Sequence, residues 1–161
     1  MAKKKNVTNA MRLLNAAKIE YDAIEYEADA VGENFGVEIA RLTGMPCDIC
    51  FKTLVARGDK TGVIVACVPV DAEVDLKKLA AVSGNKKVEM IHVKELLQLT
   101  GYIRGGVSPI GMKKKYPTYV NQTAEEHEKI AVSAGVCGCS VMLSPKDLQN
   151  ATNCEFKNII R

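Results

Sequence analysis

Apolar residues recur along this chain with two different periods, and the switches between them mark its elements. Met11, Leu14, Ala17 and Ile19 fall roughly on one face of a 3.6-residue helix, which Asn6 or Thr8 can cap. A strand is expected at 21–26. Asn34 can then cap a second helix carrying Val37, Ile39, Ala40 and Leu42, closed by Gly44 and Pro46. Segments 51–57 and 63–70 are rich in residues that suit a pleated surface, and the turn-forming stretch from Gly58 to Gly62 joins them into a hairpin. Asp75 can cap a helix at 76–82. Segment 88–91 reads as a short strand, and 93–99 as a helix ending at Gly101. After a glycine-rich stretch come strands at 118–120, 130–133 and 140–143, and Ser144-Pro145 is a good helix start. Strands and helices mix without the regular alternation of a doubly wound sheet, so the pattern predicts a mixed α+β domain.

Composition narrows this picture. The chain has 161 residues and is 47% hydrophobic, enough for one globular domain spanning 1–161. It has no repeat, low-complexity tract or Pro/Ser-rich linker at which to divide it. Its 22 Lys and Arg against 19 Asp and Glu give a net charge of +3. That balance permits an anionic partner without demanding one. A dedicated nucleic-acid binder is usually more basic, so no DNA partner is expected, and any RNA contact should come from local patches and weaken with salt. The longest apolar run, around 62–70, is too short for a bilayer and ends at Pro69, so no membrane role is expected. The start, Met-Ala-Lys-Lys-Lys, lacks the apolar region of a secretion signal, which points to the cytoplasm. Six cysteines in such a chain read as reduced thiols.

The candidate chemistry begins with Lys52. If 51–57 is a strand, Lys52 and Leu54 share one face and Phe51, Thr53 and Val55 the other. A lysine there is either an edge residue that keeps its ammonium in water or a pocket cation, able to hold a phosphate or stabilise the charge of acyl transfer. Segment 101–111 places four glycines and a proline within eleven residues. It reads as a shaped loop whose amides can approach a ligand, although it matches neither the dinucleotide nor the phosphate-loop pattern, and an ordinary turn is the alternative. Cys47-x-x-Cys50 has metal or redox spacing, but Cys137-x-Cys139 is not the usual second half of a zinc site, so no metal is expected. His92 and His127 have no evident partners and read as solvent-facing or helix-terminal. Lys86, Lys87 and Lys113 to Lys115 are solvated by default, and Lys113 to Lys115 could meet RNA phosphates if the glycine-rich loop lines a site.

Taken together, Tyr26, Asn34-Phe35-Gly36, Phe51-Lys52-Thr53-Leu54, Lys86-Lys87-Val88-Glu89-Met90 and the run from Gly101-Tyr102 to Gly105-Gly106-Val107-Ser108-Pro109-Ile110-Gly111 resemble the YbaK family. The related editing domain of bacterial prolyl-tRNA synthetases shares them. The resemblance spans nearly the whole chain. It implies a mixed α/β fold with a curved central sheet surrounded by helices, no cofactor, and removal of a wrongly attached amino acid from tRNA, most typically Cys-tRNA(Pro), beside prolyl-tRNA synthetase. It implies Lys52 as the critical residue and Gly105 to Pro109, with Gly106, as the loop that presents the reactive carbonyl. Tyr26, Phe35, Thr53, Ser133 and Gly135 follow as pocket residues at the acceptor end. In the mechanism proposed for the family, the cysteinyl thiol attacks its own ester carbonyl. Better-known members have Gly-Leu-Asp where this chain has Gly138-Cys139-Ser140, which puts any carboxylate role there in question. Two other readings stand beside this one: editing of another small residue such as alanine or serine, and a non-catalytic module that binds tRNA or a synthetase.

Overall fold

The computed structural model describes residues 7–27 and 35–161, with the side chain of residue 35 outside that set. Helix α1 (Asn9–Ala16) begins at Thr8, whose side chain accepts the Met11 N–H, while the alternative cap Asn6 lies outside the described residues. Ala10, Met11 and Leu14 are its buried face. Strand β1 (Asp22–Glu25) follows, then helix α2 (Phe35–Thr43), whose expected cap Asn34 is outside the described residues.

The hairpin forms as its sequence demands. β2 (Phe51–Gly58) and β3 (Gly62–Pro69) pair antiparallel along their full length, from Phe51 opposite Pro69 to Gly58 opposite Gly62. Asp75 caps α3 (Leu76–Ser83) by accepting the Lys77 and Lys78 N–H groups. β4 (Val88–Met90) then pairs with the far end of β2. The helix expected at 93–99 splits into a 3₁₀ turn (Val93–Glu95) and α4 (Leu96–Thr100). The Glu95 carboxylate reaches back to the His92 N–H and fixes the tight first turn. β5 (Thr118–Asn121), β6 (Ile130–Val136), β7 (Cys139–Leu143) and α5 (Pro145–Thr152), capped by Ser144, complete the expected set. β8 (Glu155–Lys157) is additional; it is too short and too polar to leave a period in the sequence.

The strands form a five-stranded mixed sheet, ordered β4-β2-β3-β5-β8, and a three-stranded antiparallel sheet, ordered β1-β7-β6. β3, β5 and β8 are parallel to one another in register. A single bridge between Cys50 and Ala131 joins the two sheets. The expected mixed sheet is thus present, with a three-stranded sheet packed beside it.

Alternation along β3 shows how the core is divided. Ile64, Ala66 and Val68 pack with Leu79 and Ala80 of α3, whereas Val65 and Cys67 face α1 and the three-stranded sheet through Leu14, Val132 and Val141. The five-stranded sheet is thus buried on both faces, and the site lies where its ladder is interrupted.

Candidate functional site

β2 changes partners along one edge. At Cys50 that edge meets Ala131 of β6, and from Ala56 onward it pairs with β4. Between them the ladder is open, among the described residues, until the Ile91 N–H donates to the Val55 carbonyl at 3.2 Å. Main-chain groups of an antiparallel strand alternate between its two edges. The Cys50 carbonyl accepts from Val70 on the β3 side, so the same alternation turns the N–H and C=O of Thr53 toward the open edge. A cavity of about 370 Å³ occupies this gap, within the size range of small-ligand sites.

Lys52 and Thr53 both line the cavity because the gap exposes the strand edge-on. Lys52 is half-buried on the face it shares with Leu54, and Thr53 on the other face contacts the buried Cys67 thiol through Oγ1 at 3.7 Å. Lys52 is therefore a cation on a cavity wall. Arg104 and Gly105 supply a second wall from the glycine-rich loop, while Met90, Ile91, Val93 and Leu96 make a third that is wholly apolar. Val37 and Ile39 of α2 close a fourth side.

The floor is polar and neutral. Ser133 and Ser140 lie opposite each other on β6 and β7, and the Ser133 hydroxyl accepts the Gly135 N–H at 3.1 Å. Tyr26 sits beside them just past the end of β1, its N–H bonded to the Gly138 carbonyl. Its hydroxyl is sealed from solvent and has no hydrogen-bond partner among the described residues. Burial pushes the Tyr26 pKa up; the Gly138 backbone and the Ser140 hydroxyl lie close enough to oppose this but are not placed to bond. The phenol therefore stays protonated near neutral pH, on a residue that lines the cavity.

Glycines shape the loop wall. Gly105 lines the cavity at φ +87°, in the left-handed region. Gly106 lies behind it, flush against the β6–β7 turn, where a Cβ would come within 3.0 Å of the Val136 and Cys137 backbone. The Cys137 thiol donates to the Arg104 carbonyl at 3.7 Å, holding the loop to the same turn.

Of the residues expected from the sequence, Tyr26, Lys52, Thr53, Gly105 and Ser133 meet at one cavity. Gly106, Pro109 and Gly135 are not on its surface. Gly106 and Pro109 are buried within the loop, and Gly135 lies under the Tyr102 ring. The Phe35 side chain is outside the described residues. The sequence reading missed Cys50, Arg104, Ser140 and the apolar wall as lining groups. Arg104 could have been found as the charged residue inside the glycine-rich loop, and Met90 and Val93 as large exposed apolar residues close together in the chain.

Among the described residues the lining holds two cations, Lys52 and Arg104, and no carboxylate or imidazole. Its one thiol, Cys50, is pushed up to about 11 by burial and by its neighbours Cys47 and Asp48, so it is a protonated thiol near neutral pH. His92 is exposed at the start of the 3₁₀ turn, and His127, half-buried, has Nε2 4.0 Å from Asp48 Oδ2, away from the lining. No three His, Cys, Asp or Glu side chains among the described residues converge as a metal site. The geometry can bind and polarise an ester, but it presents no Ser/His or Cys/His pair.

Residues 34–151 match the aminoacyl-tRNA editing domain. A protein of Enterococcus faecalis named provisionally as a Cys-tRNA(Pro)/Cys-tRNA(Cys) deacylase, EbsC, is 47% identical over 99% of this chain and 98% of its own length. The multifunctional Ser/Thr-tRNA deacylase ProXp-y of Escherichia coli is 27% identical, covering 68% of each chain. A crystal structure described provisionally as a trans-editing enzyme for prolyl-tRNA synthetase superposes with a TM-score of 0.82 at 22% identity, covering 98% of this chain and 99% of its own.

Proposed function

The chain belongs to the aminoacyl-tRNA editing domain family, and we propose that, acting as one domain in the cytoplasm, it removes cysteine from mischarged tRNA(Pro). The observation that carries this is the composition of the cavity: two cations and three hydroxyl-bearing floor residues, with no enzyme base or activated nucleophile among the described lining residues. Such a site stabilises and orients, while the attacking group comes from the substrate.

In the step that follows from this, the cysteinyl sulfur attacks its own ester carbonyl. A carbon–sulfur bond forms, the carbon–oxygen bond to the ribose breaks, and the ribose oxygen leaves with a proton as the tRNA 3′-terminal hydroxyl. The product is a cyclic thiolactone, which water opens to cysteine. Lys52 meets the negative charge developing on the carbonyl oxygen, and the Gly105 segment holds the carbonyl against it. Tyr26 and Ser133 contact the aminoacyl group, and Thr53 orients it from the open strand edge. Gly106, Pro109 and Gly135 serve by shaping the loop and the β6 bulge behind the cavity. Prolyl-tRNA synthetase is the partner proposed to hand over the tRNA, in keeping with the tRNA(Pro) in the name of the 47% identical relative. Serine is the second substrate to consider, because the ProXp-y likeness and the neutral Ser140 both favour a hydroxyl-bearing side chain.

The test is release of labelled cysteine from Cys-tRNA(Pro) by the wild-type chain and by Lys52→Ala. Loss of release by at least 10²-fold, with an unchanged melting transition, is expected for a group that stabilises transition-state charge. Wild-type rates in the variant would overturn the assignment.

A further inference from the structure

One residue of the glycine-rich loop that does not itself line the cavity makes bonds at both ends of the loop. The Tyr102 N–H donates to Thr100 Oγ1 at 3.0 Å, and its hydroxyl donates across the loop to the Ile110 carbonyl. One residue thus ties both ends of segment 101–111. Asn9 secures the same end, its amide donating to the Gly111 carbonyl at 2.9 Å.

The Tyr102 ring reaches two further walls. It covers Gly135, where a Cβ would sit 2.7 Å from ring Cε1, and Gly135 occupies the bulge of β6 just after Ser133. It also packs with Val55 of β2 and Val107 of the loop in one buried cluster. The strand carrying Lys52, the strand carrying Ser133 and the loop carrying Gly105 therefore all meet at Tyr102. Nothing in a fold requires a tyrosine there for burial alone, since a phenylalanine fills the same space. The hydroxyl adds the span to Ile110, with the Asn9 side chain beside it.

We propose that Tyr102 is a positioning residue for deacylation, setting the distance between the Gly105 backbone and the Lys52 ammonium across the cavity. This rests on the deacylase reading above and extends it to a residue outside the pocket. A loop free to drift by a fraction of an ångström still binds the acceptor end but holds the ester carbonyl out of reach of the charge that stabilises it, so the effect falls on kcat rather than KM.

The experiment compares Tyr102→Phe with Tyr116→Phe in single- and multiple-turnover release from Cys-tRNA(Pro), alongside thermal melting. Tyr116 is the matched control: its hydroxyl donates to the Leu99 carbonyl at 2.7 Å, outside the cavity. Both variants lose one hydroxyl-to-carbonyl bond and should melt slightly lower. Only Tyr102→Phe should lose kcat, by about fivefold to tenfold with KM within twofold, a modest part of what misplacement can cost. Equal kcat in Tyr102→Phe and wild type, or an equal kcat loss in Tyr116→Phe, overturns the proposal. Should Tyr102→Phe fail to fold, Asn9→Ala releases the same end of the loop and must show the same split between kcat and KM. A wild-type chain that releases nothing from Cys-tRNA(Pro) would instead refute the deacylase reading, and this inference with it.

Discussion

Replacing Tyr26 by phenylalanine should make the protein more stable and less active at once. The phenol oxygen is sealed from solvent and unpaired among the described residues, and a buried polar group without a partner costs about 1–3 kcal/mol. The residue as a whole is only half-buried, so the low end, about 1 kcal/mol, is the appropriate gain. For a chain of this length that is a rise in Tm of about 2–4 °C. The same hydroxyl is proposed to turn to the aminoacyl group once that group fills the cavity, and because burial raises its pKa it stays protonated through the neutral range. Loss of one such bond, about 1.4 kcal/mol, lowers kcat/KM about tenfold. Thermal melting by circular dichroism and single-turnover release from Cys-tRNA(Pro) read the two effects separately. A variant that melts lower while keeping wild-type kcat/KM would show that the hydroxyl is a structural group with a partner in solution, and would refute the reasoning.

Lys52→Ala should abolish release while leaving the melting transition within about 2 °C, since its ammonium makes no contact on which the core depends; a cooperative loss of structure would reassign it to stability. Cys47→Ser should keep full activity, and protein purified without added metal should carry far less than one zinc per chain; failure of either result would restore the cysteines as functional groups. Burial raises Cys50 from 9.0 to about 11 and Cys67 to about 12. Their protons are therefore held more tightly in the folded chain than in the unfolded one, so their contribution is complete below about pH 8.5 and is lost as pH rises through 11 to 12. Urea unfolding between pH 7 and pH 11 should show falling stability above about pH 9, and a flat profile in that range would contradict the burial of these thiols.

Much of the fold could be read because local signals agreed with one another. Thr8, Asp75 and Ser144 are caps both by residue type and by the bonds they make, and the hairpin around Gly58 and Gly62 has strong β-formers on both sides. The sheet arrangement was not legible. It depends on the bridge between Cys50 and Ala131, residues far apart in sequence that nothing local specifies. The site divides the same way. Lys52 and Thr53 could be assigned to opposite strand faces, but only the break in the ladder explains why both reach one cavity. Gly106, Pro109 and Gly135 were chosen for their place in motifs, which does not distinguish a residue that touches a ligand from one that shapes the wall behind it.

The most direct measurement is the single-turnover rate of amino-acid release from tRNA(Pro) charged with cysteine and with serine. The two substrates differ in one atom, and a pocket separates such close analogues by only about 1–3 kcal/mol through binding. A thiol, in contrast, gives a far better nucleophile than a hydroxyl near neutral pH. If the cavity only positions the ester and the substrate attacks itself, cysteine should leave more than 10²-fold faster than serine at saturating protein. Equal rates would mean that water or an enzyme group attacks, and would contradict the substrate-assisted mechanism.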